Sequence, residues 1–162
     1  MEKLNDYIAL VEEGIKLLGV DPAVCRTELP HKWNLHRGQA QVVLIVRKSR
    51  THKGMERDTL VLVSPVVIVP QDEKLKNKLY HYLLSTSHQM ITEAFSIARE
   101  SNGTEVGYIS STYFIEDMTK EEVAFMLDSL SFYAYKFSEE LRAEFMGHKT
   151  SNIEMKPFTL ED

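Results

Sequence analysis

The apolar residues of this chain follow a helical spacing in three stretches. In the first, residues 3–19, they recur every three or four positions, which places one apolar stripe along one side of a helix. Similar spacing returns in residues 71–87 and 119–145. Thr119 and Glu122 stand in the order of a capping box, in which two side chains satisfy backbone N–H groups that a helix start leaves free. The chain is therefore predicted to contain three helices.

Five other stretches are rich in β-branched and aromatic residues and are predicted to form strands. Their bounds are 31–37, 40–47, 58–69, 92–99 and 104–115. The connections between the first three are too short for helical crossovers, which indicates antiparallel pairing. Pro65 lies inside the third strand, where its missing N–H predicts a bulge, a bend or an edge position. Asn102-Gly103, between the last two strands, suits the positive φ angles of a two-residue hairpin turn.

The grouping of strands into runs, rather than one-by-one alternation with helices, indicates an α+β fold. The predicted order is α-βββ-α-ββ-α, a sandwich in which three helices pack an antiparallel five-stranded sheet. A chain of 162 residues suits one domain, which we place at residues 1–146. The polar stretch 147–162 is predicted to be a C-terminal tail that either docks on the domain or stays loose.

Three stretches resemble the YbjN-like family, which belongs with the type III secretion chaperone-like superfamily. They are LKNKLYHYLLSTS (75–87), EAFSIARESNGTEVGYISSTYF (93–114) and MTKEEVAFMLDSLSFYAYKFSEEL (118–141). The resemblance implies a compact α/β sandwich, a frequent homodimer, and chaperone-like or regulatory binding of a protein without catalysis. The family has no catalytic residues that could be carried over. A long basic loop and the tail depart from the secretion-chaperone pattern.

The sequence contains no pattern that would serve catalysis or hold a cofactor. Its six histidines show no HExxH spacing, and Cys25 is the single cysteine, so neither a zinc site nor an internal disulfide is predicted. Phosphate-binding glycine loops and the GxSxG nucleophile elbow are absent as well. Cys25 is instead expected to be a small buried apolar residue. We therefore expect no enzyme activity, no metal and no cofactor.

Charge is distributed unevenly along the chain. The predicted loop 47–57 holds five basic residues and one acid, a net charge of +4, whereas the rest carries 14 basic and 23 acidic residues. Such a loop could bind phosphates, nucleic acid or an acidic protein, or it could simply keep one end of the sheet soluble. It has no aromatic residue of its own on which bases could stack. The candidate polyanion-binding residues are Arg47, Lys48, Arg50, Lys53 and Arg57.

Two surfaces are predicted to carry more apolar residues than one core needs. Residues 42–46 and 60–63 are apolar without interruption, whereas a sheet with one wet face alternates. The second face therefore needs a cover, which could be another subunit, a client protein, or a helix or the tail of the same chain. On the last helix, Phe125, Phe132 and Tyr135 lie nearly opposite the core stripe and within a rim of acids. These three are the candidate protein-interface residues.

The sequence thus predicts a non-catalytic, homodimeric domain that binds another protein chain in a chaperone-like or regulatory role. The N-terminus mixes acids with apolar residues, so no signal peptide or membrane span is predicted and the cytoplasm is the expected compartment. The alternative is a nucleic-acid- or phosphate-binding module that acts through the basic loop. That alternative requires the loop to join further positive surface around Lys32 or Arg37, whereas protein binding requires an apolar groove or a dimer surface.

Overall fold

A computed structural model describes residues 2–146 of the chain. In chain order its elements are α1 (Glu2–Leu17), α2 (Pro22–Cys25), β1 (Lys32–Arg37), β2 (Ala40–Arg50), β3 (Glu56–Ile68), α3 (Glu73–Ser87), β4 (Ala94–Arg99), β5 (Glu105–Phe114) and α4 (Lys120–Phe145). The strands form one sheet in the order β1-β2-β3-β5-β4, and every neighbouring pair is antiparallel. The α+β class and the five-stranded antiparallel sheet are confirmed. The predicted tail, residues 147–162, lies outside the described residues.

The short helix α2 is an element that the spacing of apolar residues does not predict. The Asp21 carboxylate accepts a hydrogen bond from the Ala23 N–H at 3.0 Å, and Pro22 occupies the first turn. Four residues are too few for a periodic pattern, so the Asp21-Pro22 cap is the one sequence feature that indicates this helix. Cys25 at its end is buried in the core beside Trp33, and this burial raises the pKa of its thiol. The expected apolar role of Cys25 is therefore confirmed.

The three long helices pack on the same side of the sheet, which we call the helix face. Near the N-terminus, α1 and α4 lie in close contact over β2 and β3. A Cβ added at Gly14 would come within 2.6 Å of Val123 Cγ1, so the two helices approach closely only because residue 14 has no side chain. Farther along α4, Phe137 and Leu141 pack with Leu79 and other residues of α3 over β3 and β5. The helix face is thus covered from end to end.

The start of α4 is fixed by the predicted capping box. Thr119 Oγ1 accepts a hydrogen bond from the Glu122 N–H, and the Glu122 carboxylate accepts one from the Thr119 N–H at 2.7 Å. Pro65 also behaves as predicted, because the pairing register between β3 and β5 shifts between Pro65 and Val67. The shift lets a residue without an N–H occupy a central strand.

The hairpin between β4 and β5 is confirmed, but its predicted two-residue turn is wrong. The Glu100 N–H donates to the Thr104 carbonyl at 2.8 Å, which leaves a loop of residues 101–103. Gly103 has a φ of +84°, whereas no residue other than glycine has a positive φ within residues 2–146. Such a three-residue loop needs positive φ only at its last position. Asn102 instead accepts a hydrogen bond from the Thr104 N–H through its side chain.

The predicted basic loop 47–57 is wrong as a loop. Strands β2 and β3 continue pairing as far as Arg50 and Glu56, so only residues 51–55 form the turn. Opposite charges face each other across this ribbon, with Lys48 beside Asp58 and Arg50 beside Glu56. Such cross-strand pairs favour strand pairing beyond the apolar core. We call residues 47–57 the basic hairpin from here on.

Candidate protein-binding surfaces

The outward side of α4 carries Phe125, the most exposed aromatic residue of the described chain. The residues of the predicted core stripe are all buried, namely Val123, Leu127, Leu130, Ala134, Phe137, Leu141 and Phe145. On the other side, Phe125, Phe132 and Tyr135 are 70%, 47% and 36% exposed. We call these three residues the outer ridge of α4. Their exposure follows from the helical period, as predicted, since the core stripe holds the opposite side against the sheet.

Polar contacts on both flanks fix α4 beneath this ridge. On one flank, Arg37 of β1 donates to Asp128 Oδ1 at 2.7 Å and to Ser131 Oγ at 3.1 Å. On the other flank, Ser129 Oγ donates to the buried carboxylate of Glu93 at 2.7 Å. The ion pair between Arg37 and Asp128 is largely exposed, so its own contribution to stability is small. Together the two contacts link α4 to β1 on one flank and to the residue before β4 on the other.

The three ridge residues do not have equal freedom to meet a partner. Tyr135 packs against the turn between β1 and β2, since a Cβ added at Gly38 would lie 2.8 Å from Tyr135 Cε2. Its hydroxyl is hydrogen-bonded to Glu139, which raises the pKa of Tyr135. The Phe132 ring lies 5.7 Å from the Arg37 guanidinium. Phe125 has the largest exposed fraction of the three, which makes it the leading candidate for the centre of an interface.

Sequence reasoning missed one exposed apolar residue in a loop that contacts α4. Ile91, in the loop between α3 and β4, is 97% exposed. It lies two residues before Glu93, whose carboxylate contacts Ser129, and Ser129 is one helical turn after Phe125. The loop that carries Ile91 is therefore held against α4 one helical turn from Phe125. A single apolar residue in a polar loop gives no periodic signal, so only the tertiary contact reveals it.

The second face of the sheet is apolar as well, as the uninterrupted strands predicted. In β2, alternate side chains such as Val42 and Leu44 enter the core beneath the helices, while Val43 and Ile45 point to the opposite side. We call that opposite side the second sheet face. Its buried cluster consists of Val43, Ile45, Val63, Val106 and Tyr108. Within residues 2–146, every helix packs on the other side of the sheet.

The basic hairpin is less positive than its sequence suggests. Lys48 pairs with Asp58 at 3.2 Å and Arg50 with Glu56 at 3.7 Å. Arg57 pairs with Glu116, and this hydrogen bond lowers the pKa of the Glu116 carboxyl. Asp58 and Glu116 lie outside residues 47–57, so the net charge of +4 for that segment did not include them. Among the described residues, only Arg47 and Lys53 of the five candidates make no ion pair.

The fold supplies the hairpin with an aromatic residue that the segment itself lacks. Phe114 of β5 is 52% exposed, and the Arg57 guanidinium lies 4.6 Å from its ring centroid. Phe114, Arg57, Lys53 and Arg50 line an open concavity of about 600 Å³. A second one, of about 570 Å³, lies on the helix side of the ribbon; its lining includes Lys3, His31, Arg47 and Lys48.

The positive surface does not extend to Lys32 or Arg37. Lys32 is only 7% exposed. In the sheet, Arg37 is paired with Ala40, at the end of β2 that is far from the basic hairpin. That position is about 23 Å along the strand from Arg47, at ~3.3 Å per residue. Arg37 is also neutralised by Asp128. The feature that the nucleic-acid alternative requires is therefore not found in the described part of the chain.

Neither a metal site nor a membrane-spanning helix is found within residues 2–146. No three His, Cys, Asp or Glu side chains in this range come together in a way that could hold a metal ion. None of its helices is both long and apolar enough to cross a lipid bilayer.

The fold of this chain is similar to the folds of two solved structures. A chain of the HopA1–SchA chaperone–effector complex superimposes with a TM-score of 0.57 and 14% identity, covering 86% of this chain and 98% of that chain. YbjN from E. coli, described as a candidate transcription regulator, gives a TM-score of 0.54 and 10% identity over 81% of this chain and 87% of YbjN. This chain therefore shares its fold with YbjN and with that chain of the chaperone–effector complex. The resemblance seen in the sequence is therefore confirmed at the level of fold.

Comparison of sequences is less informative. No family model matches the chain. Microtubule-associated protein 1S from Bos taurus is 29% identical over 124 residues, and its Homo sapiens counterpart is 29% identical over 118 residues. These matches cover 74% and 70% of this chain but only 11% of each relative, so this chain spans a small part of those proteins.

Proposed function

We propose that this chain is a non-catalytic domain that binds another protein chain in a chaperone-like or regulatory role, and that it acts as a homodimer in the cytoplasm. One observation carries the proposal: the outward side of α4, a helix packed against the sheet, presents Phe125 with an exposed fraction of 70%. The fold supports it, because a protein of this fold occurs in a complex between a chaperone and its effector. The outer ridge of α4 is the surface that we assign to the partner.

The ridge has the properties of an interface centre. Aromatic side chains bury about 150–250 Å² each when they are covered, and they lose little conformational freedom in doing so. Polar residues such as Arg37 and Asp128 surround the ridge, as a solvated rim surrounds the core of an interface. Because α4 is packed along its length and capped at its start, its surface is presented in one geometry. Such preorganisation lowers the entropic cost of binding.

A homodimer through this ridge would be the simplest arrangement, since a twofold axis brings the same patch of two protomers together. Sedimentation velocity at about 50 µM, well above a micromolar dissociation constant, should show a dimer for the full chain. Phe125→Glu should convert it to a monomer without loss of helix content. Leu84→Glu is the matched control, because Leu84 is an equally exposed apolar residue on α3.

A monomer of the unaltered chain at this concentration would contradict the homodimer. Dissociation caused equally by Leu84→Glu would contradict the assignment of the ridge. Binding of a client is a separate question, which affinity capture can address with both variants. Proteins retained by the unaltered chain and by Leu84→Glu, but lost with Phe125→Glu, are expected if the ridge serves a client.

Polyanion binding through the basic hairpin remains the second candidate. The observation in its favour is Phe114, which lies beneath Arg57 and beside a concavity lined by Arg50 and Lys53. An aromatic ring among basic side chains is typical of surfaces that bind single-stranded nucleic acid. The three ion pairs of the hairpin and its separation from Arg37 weigh against it.

A further inference from the structure

The concavity at the tip of the basic hairpin combines apolar surface with positive charge. Met55 and Phe114 are 54% and 52% exposed, and both line this space of about 600 Å³. The described residues that line it also include Arg50, Lys53 and Arg57, but neither aspartate nor glutamate. Exposed apolar residues that lie together and are bordered by charge are typical of a binding surface. The composition therefore suits a ligand that is anionic and partly apolar.

The strand register and the turn bring these groups together. Thr59 pairs with Phe114 of β5, and Arg57 lies two residues before Thr59 on the same side of β3. The Phe114 ring centroid therefore lies 4.6 Å from the Arg57 guanidinium. In the turn, the Thr51 N–H donates to the Met55 carbonyl at 2.8 Å, and the Met55 N–H donates to Thr51 Oγ1 at 3.2 Å. Both apolar side chains are thus carried by backbone that is held by hydrogen bonds.

Two of the cations can accept a further anion. Lys53 is exposed and makes no ion pair among residues 2–146. Arg50 lies 3.7 Å from Glu56, but these side chains are 73% and 57% exposed, so their pairing is weak. Arg57 is already paired with Glu116. A carboxylate of a ligand can therefore pair with Lys53 and compete with Glu56 for Arg50.

The hydroxyl groups of the lining favour a ligand that also carries N–H donors. The Thr59 hydroxyl donates to the Arg47 carbonyl at 3.0 Å, and Thr59 Oγ1 lies 2.8 Å from Ser49 Oγ. Because the single hydroxyl hydrogen of Thr59 is used by Arg47, Ser49 donates to Thr59, and the Ser49 oxygen is left as an acceptor only. The backbone of a peptide supplies N–H donors, whereas a phosphodiester backbone supplies none.

We propose that this concavity binds an acidic peptide segment of another protein, with an aromatic or aliphatic side chain of the peptide against Met55 and Phe114 and its carboxylates at Lys53 and Arg50. Methionine is common at surfaces that accept varied partners, because its flexible thioether side chain adapts to them. The inference rests on the protein-binding role proposed above, but it depends neither on the outer ridge of α4 nor on the homodimer.

Single-stranded nucleic acid is the competing occupant of the same surface. Its binding depends on aromatic rings on which successive bases stack. Phe114 is the one aromatic ring among the described residues that line the concavity, and it is already in contact with the Arg57 guanidinium. One partly occupied ring suits a single inserted side chain better than a run of stacked bases.

Fluorescence anisotropy with the unaltered full chain tests the proposal. The probes are labelled peptides in which one phenylalanine, leucine or methionine stands among glutamates, matched peptides with glycine at that position, and labelled oligothymidylate. At least one of the apolar-containing peptides should bind more tightly than its glycine counterpart and than oligothymidylate. Absence of binding by all acidic peptides, or equal binding of the glycine peptides, would overturn the proposal. Tighter binding of oligothymidylate would overturn it in favour of nucleic acid.

Two variants and two matched controls locate the site. Phe114→Ala should raise the dissociation constant of the best peptide about tenfold. Lys53→Gln, in the exposed turn, should also raise it and should reduce its dependence on salt. Phe125→Ala on the outer ridge and Lys74→Gln on α3 remove the same groups from exposed positions elsewhere and should leave the affinity unchanged. Equal losses in variants and controls would contradict the assignment of the concavity.

The outcome is separable from that of the proposed function. Sedimentation and affinity capture with Phe125→Glu address the outer ridge and use no acidic peptide. A chain that dimerises or retains clients through the ridge, but binds none of the acidic peptides, would overturn this inference alone.

Discussion

The outer ridge of α4 and the second sheet face are both apolar surfaces beyond the helix-covered core, but they differ in exposure. Phe125 on the ridge is 70% exposed, whereas Val63 on the sheet face is 8% exposed. The ridge belongs to one helix whose other side is fully packed. The sheet face is a broad apolar area that a single domain could not leave open to water.

The difference shows that apolar residues beyond those of the helix-covered core can serve different purposes. A few exposed rings on a helix are compatible with a stable monomer and a reversible interface. A continuous apolar sheet face has to be covered at all times, whether by the same chain or by an obligate partner. The two surfaces should therefore respond differently to a charge, and the first prediction uses that difference.

The largest effect is expected for a charge placed on the second sheet face. Val63→Asp should lower the free energy of unfolding by about 3 kcal/mol or more, because an unpaired carboxylate would be buried. Phe125→Asp should change it by about 0.5 kcal/mol or less at dilutions where the chain is monomeric. Urea denaturation monitored by circular dichroism measures both. Similar losses in the two variants would remove the distinction between the surfaces.

The secondary structure of this chain was largely predictable because its periodic stretches are long. In α4, apolar residues repeat over 26 residues and Thr119 with Glu122 marks the start, so both position and buried side follow from the pattern. The four-residue helix α2 is too short for a pattern. The extension of β2 and β3 through residues 48–57 depends on cross-strand charge pairs, which become visible only when the register is known.

The candidate sites were predictable only in part, for a related reason. The exposure of Phe125 follows from its angle on the helix relative to the core stripe. The neutralisation of Arg57 by Glu116 and the approach of Phe114 depend on residues almost 60 positions away in the sequence. Counting charges within one segment therefore overestimated the positive charge of the basic hairpin. What covers the second sheet face does not follow from the pattern, because uninterrupted apolar strands show a need for cover but not its source.

A second prediction compares the turns of two hairpins. Gly103 and Gly54 have φ angles of +84° and +78°, and a Cβ at either would meet no other atom within 4 Å. Valine at either position is therefore strained only through its backbone, by about 1–2 kcal/mol. Gly103→Val should lower the global free energy of unfolding by that amount, because β4 and β5 pair beside the buried face. Gly54→Val should lower it less, since the tip of the basic hairpin can open locally.

Hydrogen exchange can verify the reason for this difference. Amides near residues 51–55 should lose protection in Gly54→Val while those of β5 keep it. An equal global loss in the two variants would mean that the basic hairpin is part of the cooperative core.

The third prediction asks whether the basic hairpin is a binding surface at all. If it binds polyanions, Arg47→Gln with Lys53→Gln should elute from heparin at lower salt than the unaltered chain, because these two cations make no ion pair among the described residues. Lys74→Gln with Lys136→Gln removes the same charge from exposed helix positions and is the control. An equal shift for both pairs would indicate only an effect of net charge. No retention of the unaltered chain at low salt would exclude the second candidate function.

The smallest expected effect concerns acid stability at the edge of the sheet near α3. Hydrogen bonds from Lys76 and then Arg99 lower the pKa of the Glu105 carboxyl below its ordinary value of 4.5. A carboxyl whose pKa is lower in the folded state stabilises the fold above its unfolded pKa, and this stabilisation disappears as the pH falls through the folded pKa. Glu105→Gln should therefore lower the melting temperature slightly at pH 7, and by less near pH 3, which lies below the ordinary glutamate pKa of 4.5. Glu28→Gln, at an exposed position without an ion pair among residues 2–146, should give parallel melting curves at both pH values. If Glu105→Gln behaved like this control, the contacts with Lys76 and Arg99 would not be formed in solution, and α3 would be held to the sheet by its apolar side alone.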